Sequence, residues 1–400
     1  AQDAKAKTQA FIDRFSKWYT PAVMVLALAA GLISGDVVLG LTLLVIGCPG
    51  ALVISIPVAI VAGIGRSARN GILIKGGEYL ETSAKISAVA VDKTGTLTEG
   101  RPVLTDIVVL NPEADRREVL RWAAAAEAGS EHPLARPILD TAREEGVAPE
   151  GLPGSVTPVV GKGIVADAHG KRVLIGNVPL LEQYGIVNDA GAAVAANKLA
   201  AAGKTPMIVA VDESVLGVIG VADTIREDAP EMIRRLHASG VQKVVMLTGD
   251  TRLVAEAIGE AVGIDEIHAS LLPEDKLDAV ARLQREGHTV AMVGDGVNDA
   301  PALATADIGV AMGAAGSAVA VETADIALMG DNLLKLPEAI SLAKRTVNVM
   351  RQNIWIALIT VVVLLVGVFA GGVTMAIGML VHEGSVLIVI LNAMRLLRNT

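Results

Sequence analysis

Charge is distributed very unevenly along these 400 residues: 34 basic and 43 acidic side chains avoid four long stretches almost entirely. Residues 18–33, 37–64, 354–370 and 373–391 are apolar enough to enter a bilayer, where a spanning helix needs about 20 such residues. The second contains no charged residue, and the fourth carries His382 and Glu383 midway. Basic residues flank these stretches on one side only. Lys5, Lys7, Arg14 and Lys17 precede the first, Arg66, Arg69 and Lys75 follow the second, Lys344, Arg345 and Arg351 precede the third, and Arg395 and Arg398 follow the fourth. The connectors Ser34-Gly35-Asp36 and Gly371-Gly372 hold no Lys or Arg. The positive side is expected to be cytoplasmic, which makes 66–344 a large cytoplasmic insertion between two membrane hairpins. A net charge of −9 and nine aromatics disfavour nucleic acid as a partner. One cysteine excludes an internal disulfide and any Cys-rich zinc module.

The second stretch contains Gly47-Cys48-Pro49-Gly50 and then Pro57. Proline removes a donor and displaces the carbonyl four residues back, so Pro49 and Pro57 would free the carbonyls of Val45 and Val53. At membrane depth such carbonyls are tolerated only against protein or a wet cavity. Cys48 beside the kink, with His382 and Glu383 in another span, points to a cation site.

Inside the insertion, three short β-type runs end in Asp or Gly-Asp. These are residues 86–91 leading into Asp92-Lys-Thr-Gly-Thr-Leu-Thr98, residues 243–247 leading into Thr248-Gly249-Asp250, and residues 289–293 leading into Gly294-Asp295-Gly296-Val297-Asn298-Asp299. Helical patterns over 252–262 and 276–286 lie between the second and third. This alternation predicts a doubly wound parallel sheet with reactive groups at the strand ends. Carboxylates there can attack phosphorus or hold Mg²⁺, Lys276 can neutralise phosphate charge, and Thr248 can donate to a phosphate oxygen. Two patterns are incidental. Gly203-Lys204-Thr205 has Lys198 where a Walker A loop needs glycine, and Gly161-x-Gly163-x-x-Ala166 lacks its dinucleotide-binding context.

The run Asp92 to Thr98 resembles the phosphorylation motif of P-type ATPases, whose catalytic core is of the haloacid-dehalogenase type, and the two later motifs match in order and spacing. Glu127-Ala-Gly-Ser-Glu131-His132-Pro133-Leu134 and Gly161-Lys162-Gly163 are similar to nucleotide-domain motifs of the heavy-metal branch. The resemblance covers essentially the whole chain. It implies a multidomain membrane protein: four transmembrane α-helices, a haloacid-dehalogenase-like doubly wound α/β phosphorylation domain, and an inserted α+β nucleotide-binding domain. The expected divisions are a connector and two transmembrane helices over 1–66, phosphorylation domain over 67–100 and 219–344, nucleotide domain over 101–218, and two transmembrane helices over 345–400. Asp92 would take the phosphoryl group of ATP, with Lys93, Thr94, Thr248, Gly249, Asp250, Lys276 and Asn298 around it. Mg²⁺ would be held through Asp92, Thr94, Asp295 and Asp299. Glu127, His132, Gly161 and Gly163 would bind nucleotide.

The heavy-metal branch usually carries Cys-Pro-Cys in the span before the phosphorylation motif; here Gly50 replaces the second cysteine. His382-Glu383-Gly384-Ser385 resembles the His-Glu-Gly motif of a subgroup linked to cobalt, iron and zinc. Cys48, His382, Glu383 and Ser385 are therefore expected to hold the transported ion. One thiolate with imidazole and carboxylate favours zinc, cobalt or iron(II) over copper(I). The expected function is ATP-driven export of such a cation, with ATP, Mg²⁺, the metal ion and the bilayer as partners, in a bacterial plasma membrane. Copper(I) or potassium pumping, or a membrane-tethered phosphatase, are the alternatives. No Thr-Gly-Glu actuator motif occurs, and an N-terminal actuator and transmembrane portion is expected to precede Ala1.

Overall fold

The computed structural model describes residues 7–48, 50–130, 132, 134–186, 190–295, 299–312 and 322–398. Pro49, Glu131, Pro133 and Asn298, singled out above, lie outside them. The chain divides into two compact units, 1–89 with 235–242 and 280–400, and 90–234 with 243–279.

Among the described residues of the first unit, four helical stretches are long and apolar enough to cross a membrane: Ile12–Ser34, Val37–Arg69, Lys335–Phe369 and Met375–Leu397. Their outward surface is apolar, with Trp18 79%, Val61 70% and Leu380 75% exposed, while Ser55, Ser67, Thr346 and Asn353 are fully buried between them. That arrangement reverses the pattern of a water-soluble bundle and suits helices solvated by lipid. The first helix runs over Lys7–Ser34. Asp36 then caps the second, its Oδ1 accepting the N–H groups of Val38 and Leu39 at 2.8 and 3.2 Å. The apolar stretch 37–64 is two helices rather than one, Val37–Ile46 and Gly50–Arg69, and Pro57 lies within the second of these. The third span is also longer than its apolar part: one 35-residue helix covers Lys335–Phe369. Its cytoplasmic half is stabilised by an apolar stripe, with Leu336, Ala339, Ile340, Ala343, Met350 and Ala357 buried at helical spacing.

The same unit holds four strands in sequential contact. Val290–Gly294 lies parallel to Ile308–Met312, which lies parallel to Ile326–Leu328, and Ile72–Ile74 pairs antiparallel at the edge. Val290–Gly294 and Ile308–Met312 are buried at every position, as strands covered on both faces are.

The second unit contains Asp92 at the end of the fully buried strand Ala88–Asp92, and the strand Lys243–Leu247 parallel to Glu266–His268. Its larger part is a six-stranded antiparallel sheet. Ser155–Val159, Gly163–Ala168, Lys171–Gly176, Thr205–Val211 and Ser214–Ala222 run as a meander, and Val103–Val109 pairs beside the last. Both faces are apolar. Val173, Ile175, Met207 and Val209 pack with helices Arg116–Glu127 and Ala135–Glu144, while the alternate residues Leu174, Ile208 and Ala210 pack with Val178–Gln183 and Ala190–Ala201. The last strand runs past residue 218, because its alternation continues to Ala222.

Close packing of the membrane helices depends on Gly63. A Cβ built there lies 2.6 Å from Thr346 Oγ1 and 2.7 Å from its methyl group. Gly63→Leu is expected to destabilise the protein by about 1–3 kcal/mol through overpacking. Thermal unfolding in detergent should show the loss, and Thr346→Gly in the same chain should recover part of it.

Candidate functional site

The strand Ala88–Asp92 delivers Asp92 to a tight loop, and only 7% of that residue is exposed. Gly95 turns the chain with φ 71°, a left-handed conformation that costs glycine little. Thr98 closes the loop, its N–H and Oγ1 both donating to the Lys93 carbonyl at 3.1 Å. Four charges alternate around this point. Lys276 Nζ meets Asp92 Oδ1 at 2.6 Å, and Lys93 pairs with Asp250. Thr248 is buried beside them, and its Oγ1 accepts the Asp250 N–H at 3.1 Å. Its own hydrogen remains to donate to an oxygen such as that of a phosphate. Asp92, Lys93, Thr248, Asp250 and Lys276 are thus brought together, with Thr94 and Gly249 in the same loops.

A cavity of about 590 Å³ in the same unit is lined by Glu127, Ser130, His132, Gly161, Gly163 and Asp250, among others. All four residues read from the sequence as nucleotide-binding therefore reach one space, which extends to the Gly249-Asp250-Thr251 loop. His132 Nδ1 accepts the Leu134 N–H at 3.2 Å, which leaves Nε2 carrying the proton of the neutral ring. Desolvation against the cavity lowers the His132 pKa and keeps that neutral form. Glu127 is 3% exposed and its Oε2 has no hydrogen-bond partner among the described residues, so a ligand donor in the cavity would satisfy it.

Gly163 also has a reason within the sheet. Gly163 and Gly176 face each other across two paired strands. A Cβ on Gly163 would lie 2.1 Å from the Ile175 carbonyl oxygen, and one on Gly176 2.1 Å from that of Lys162. Gly163 is required first by the sheet; Gly161, with φ 71° and open space around it, is the one that frees the turn for a ligand. Asn177 was not recognised from sequence. Its Nδ2 donates to the Gly161 carbonyl at 3.0 Å while its Oδ1 caps the next helix. The cap followed by Pro179 is the only local sign of it.

Two further groups lie in the first unit. Asp295 follows the strand Val290–Gly294, and Asp299, 1% exposed, folds back against Gly294, where a Cβ would come within 2.7 Å of its Oδ2. The residues read as Mg²⁺ ligands therefore divide between the units, with Asp92 and Thr94 in one and these two carboxylates in the other.

In the membrane region, the helix Val37–Ile46 ends at Gly47, and His382 Nε2 lies 2.8 Å from the Cys48 carbonyl oxygen that follows. Gly50 lies beside the same ring: a Cβ there would meet the imidazole Cε1 at 3.4 Å, an ordinary contact. The other expected ligands turn elsewhere. Ser385 Oγ donates to the His382 carbonyl of its own helix at 2.6 Å. Glu383, about 100° around the helix from His382, keeps a side chain that is 70% exposed, with Oε1 3.4 Å from His382 Nδ1. The Cys48 residue is exposed. Among the described residues, no three His, Cys, Asp or Glu side chains are grouped to hold a metal ion.

A haloacid dehalogenase-like hydrolase model matches residues 86–307, which include the Asp92 loop and the Asp295–Asp299 segment. The chain belongs to the haloacid dehalogenase-like hydrolase family. Over its full length it is also homologous to P-type ATPases. A cadmium-transporting ATPase of Staphylococcus aureus is 43% identical over 409 residues, covering 100% of this chain and 56% of that protein. A manganese-exporting P-type ATPase of Mycobacterium bovis is 40% identical over 405 residues, covering 100% and 55% respectively. The crystal structure of a zinc-transporting PIB-type ATPase in an E2.Pi state superposes with a TM-score of 0.76 at 43% identity, covering 97% of this chain and 64% of that one. The chain thus spans a little over half the length of the curated relatives it matches.

Burial raises the Glu127 pKa, against a smaller opposing effect of its hydrogen bond with Ser130. The folded protein therefore keeps this proton at pH values where the unfolded chain has released it. That share of stability is present below the ordinary carboxyl range and is lost as pH rises through the raised value. Glu127→Gln, which cannot ionise, should raise Tm relative to the parent more at pH 8 than at pH 4. Equal shifts at the two pH values would mean that burial of the charge is not the cause.

Proposed function

We propose that the complete protein is an ATP-driven pump for a divalent transition metal cation, and that Asp92 carries its phosphoryl group. The observation that supports this most directly is the Asp92 carboxylate at a strand end with Lys276 Nζ at 2.6 Å, in the same unit as the cavity of Glu127 and His132. A membrane-tethered phosphatase would need the carboxylate and the lysine but not the cavity.

ATP occupies the cavity with its base near Glu127 and His132 and its phosphates toward Asp250. A carboxylate oxygen of Asp92 attacks the γ-phosphorus, the bond from that phosphorus to the bridging oxygen breaks, and ADP leaves with the bond electrons. Water then attacks the aspartyl phosphate, releasing inorganic phosphate and restoring Asp92. Lys276, 2.6 Å from the attacking carboxylate, is placed to follow the charge onto the phosphoryl oxygens. Thr248 donates its remaining hydrogen to the same group. Mg²⁺ supplies charge neutralisation when bound with the nucleotide, and Asp295 and Asp299 are hard oxygen donors of the kind it takes.

Incubation of the complete protein with γ-labelled ATP should give an acid-stable, hydroxylamine-labile phosphate on Asp92. Asp92→Asn should abolish it, because an amide is a poor nucleophile. Undiminished labelling of that variant would remove the mechanism. Lys276→Ala should slow labelling by about 10²-fold, in the range seen when one preorganised charge donor is lost.

The transported ion is assigned to the break around Cys48 and to His382. A single thiol with imidazole and nearby carboxylate suits zinc or a similar divalent ion better than copper(I). The named activities of the relatives, for cadmium, manganese and zinc, agree with a divalent cargo. In ATPase assays of the complete protein, zinc or cadmium should stimulate turnover, and Cys48→Ala or His382→Ala should remove that stimulation while ATP binding persists. Strong stimulation by copper(I) would overturn the choice of metal.

A further inference from the structure

The last two membrane helices enclose a second cavity, of about 410 Å³, at the end where the basic flanks lie. Arg345, Asn348, Val349 and Gln352 line it from one helix, and Arg395, Leu396 and Arg398 from the end of the other. No carboxylate is among the described residues that line it. Three guanidinium groups and two amides around one space offer many donors, which is the chemistry that binds a phosphate group.

These groups are held by the fold. Asn392 donates through Nδ2 to Asn353 Oδ1 at 2.8 Å and to Gln352 Oε1 at 3.2 Å, and its Oδ1 accepts Arg395 Nη1 at 2.9 Å. Asn353 is itself fully buried, its Nδ2 directed at the carbonyls of Ser55 and Val389. The polar chain running out of the helix interface therefore orients both the Gln352 amide and the Arg395 guanidinium.

What lies below the cavity decides the kind of phosphate. Trp355 is one helical turn beyond Gln352 and 65% exposed, and Ile359 follows at 57%. On the partner helix, Leu391 is one turn from Arg395 and 63% exposed, with Leu387 a further turn away at 62%. Two apolar tracks thus descend from the arginines into the hydrocarbon zone, headed by an aromatic ring at interfacial depth. Free phosphate would make no use of them. Basic pockets between membrane helices on the cytoplasmic side are suited to anionic lipid headgroups.

We propose that this cavity binds the headgroup phosphate of an anionic phospholipid, with acyl chains lying along Trp355, Ile359, Leu387 and Leu391. The inference uses the membrane-spanning character of the helices and is independent of the metal and of Asp92 chemistry.

The test is native mass spectrometry of the delipidated complete protein in detergent, titrated with phosphatidylglycerol or phosphatidylcholine of matched chains. The parent should bind phosphatidylglycerol more tightly, and the triple variant Arg345→Gln, Arg395→Gln, Arg398→Gln should lose that preference by about tenfold or more. The corresponding triple Arg→Lys variant should retain most of it, which separates lost charge from lost folding. Inorganic phosphate at millimolar concentration should leave bound phosphatidylglycerol in place. Equal affinity of the parent for the two lipids, an unchanged preference in the glutamine variant, or displacement of the lipid by inorganic phosphate would each overturn the proposal.

Discussion

A buried carboxylate needs a partner for its charge, and the arrangement at Asp92 supplies one. With 7% of the residue exposed, Asp92 cannot rely on water for solvation, and Lys276 at 2.6 Å supplies the compensation. Lys93 is equally buried and needs its own partner, which Asp250 provides. The alternating quartet depends on strand ends: Asp92 closes one buried strand, and Thr248-Gly249-Asp250 follows another. The two ion pairs therefore depend on where these strands end.

The cavity lined by Glu127 and His132 rests on a different constraint. Its floor is a pair of strands brought so close at Gly163 and Gly176 that no side chain fits either position. That closeness shapes the wall facing Glu127 and His132, and Asn177 fastens the adjoining turn through Gly161. The sheet tolerates this because the alternating residues Val173, Leu174 and Ile175 divide between two apolar layers, each covered by helices. The unsatisfied Glu127 oxygen is affordable only inside such a rigid wall, since a mobile one would turn it to water.

Much of this was legible in the chain because local pattern and function coincide. The buried runs ending in Asp92, Thr248 and Asp295 are strands, and the helix read over 252–262 has those bounds. The charge-poor stretches correspond to four long apolar helices. What was not legible depends on contacts distant in sequence. The reason for Gly163 lies in Gly176, thirteen residues later and across a strand pair. Asn177 gains its role from Gly161, and no motif marks it. Hydropathy located the third span but not its start, because the stripe from Leu336 onward is diluted by lysine, arginine and glutamate on the other face. The side chains of Glu383 and Ser385 looked alike as polar residues in a span. Helical geometry separates them, turning one outward and the other onto its own backbone.

The membrane interior shows how polarity is accommodated where water is absent. The helix Val37–Ile46 ends at Gly47, within the second apolar stretch, which would strand carbonyl groups in hydrocarbon. Turn bonds take two of them, from Gly47 N–H to Leu43 and from Cys48 N–H to Val45. The Cys48 carbonyl is met by His382 from the last helix. Farther toward the basic flanks, the buried Asn353 amide meets the carbonyls of Ser55 and Val389 and is met in turn by Asn392. The Cys48 carbonyl and the Asn353 amide are thus matched from other helices, while the hydroxyls of Ser55, Thr346 and Ser385 bond back to carbonyls of their own. Those matches tie the two helices after the insertion to the one before it, through bonds that would be too weak to matter in water. The bond from His382 to the Cys48 carbonyl is therefore part of what holds the last helix against the end of Val37–Ile46.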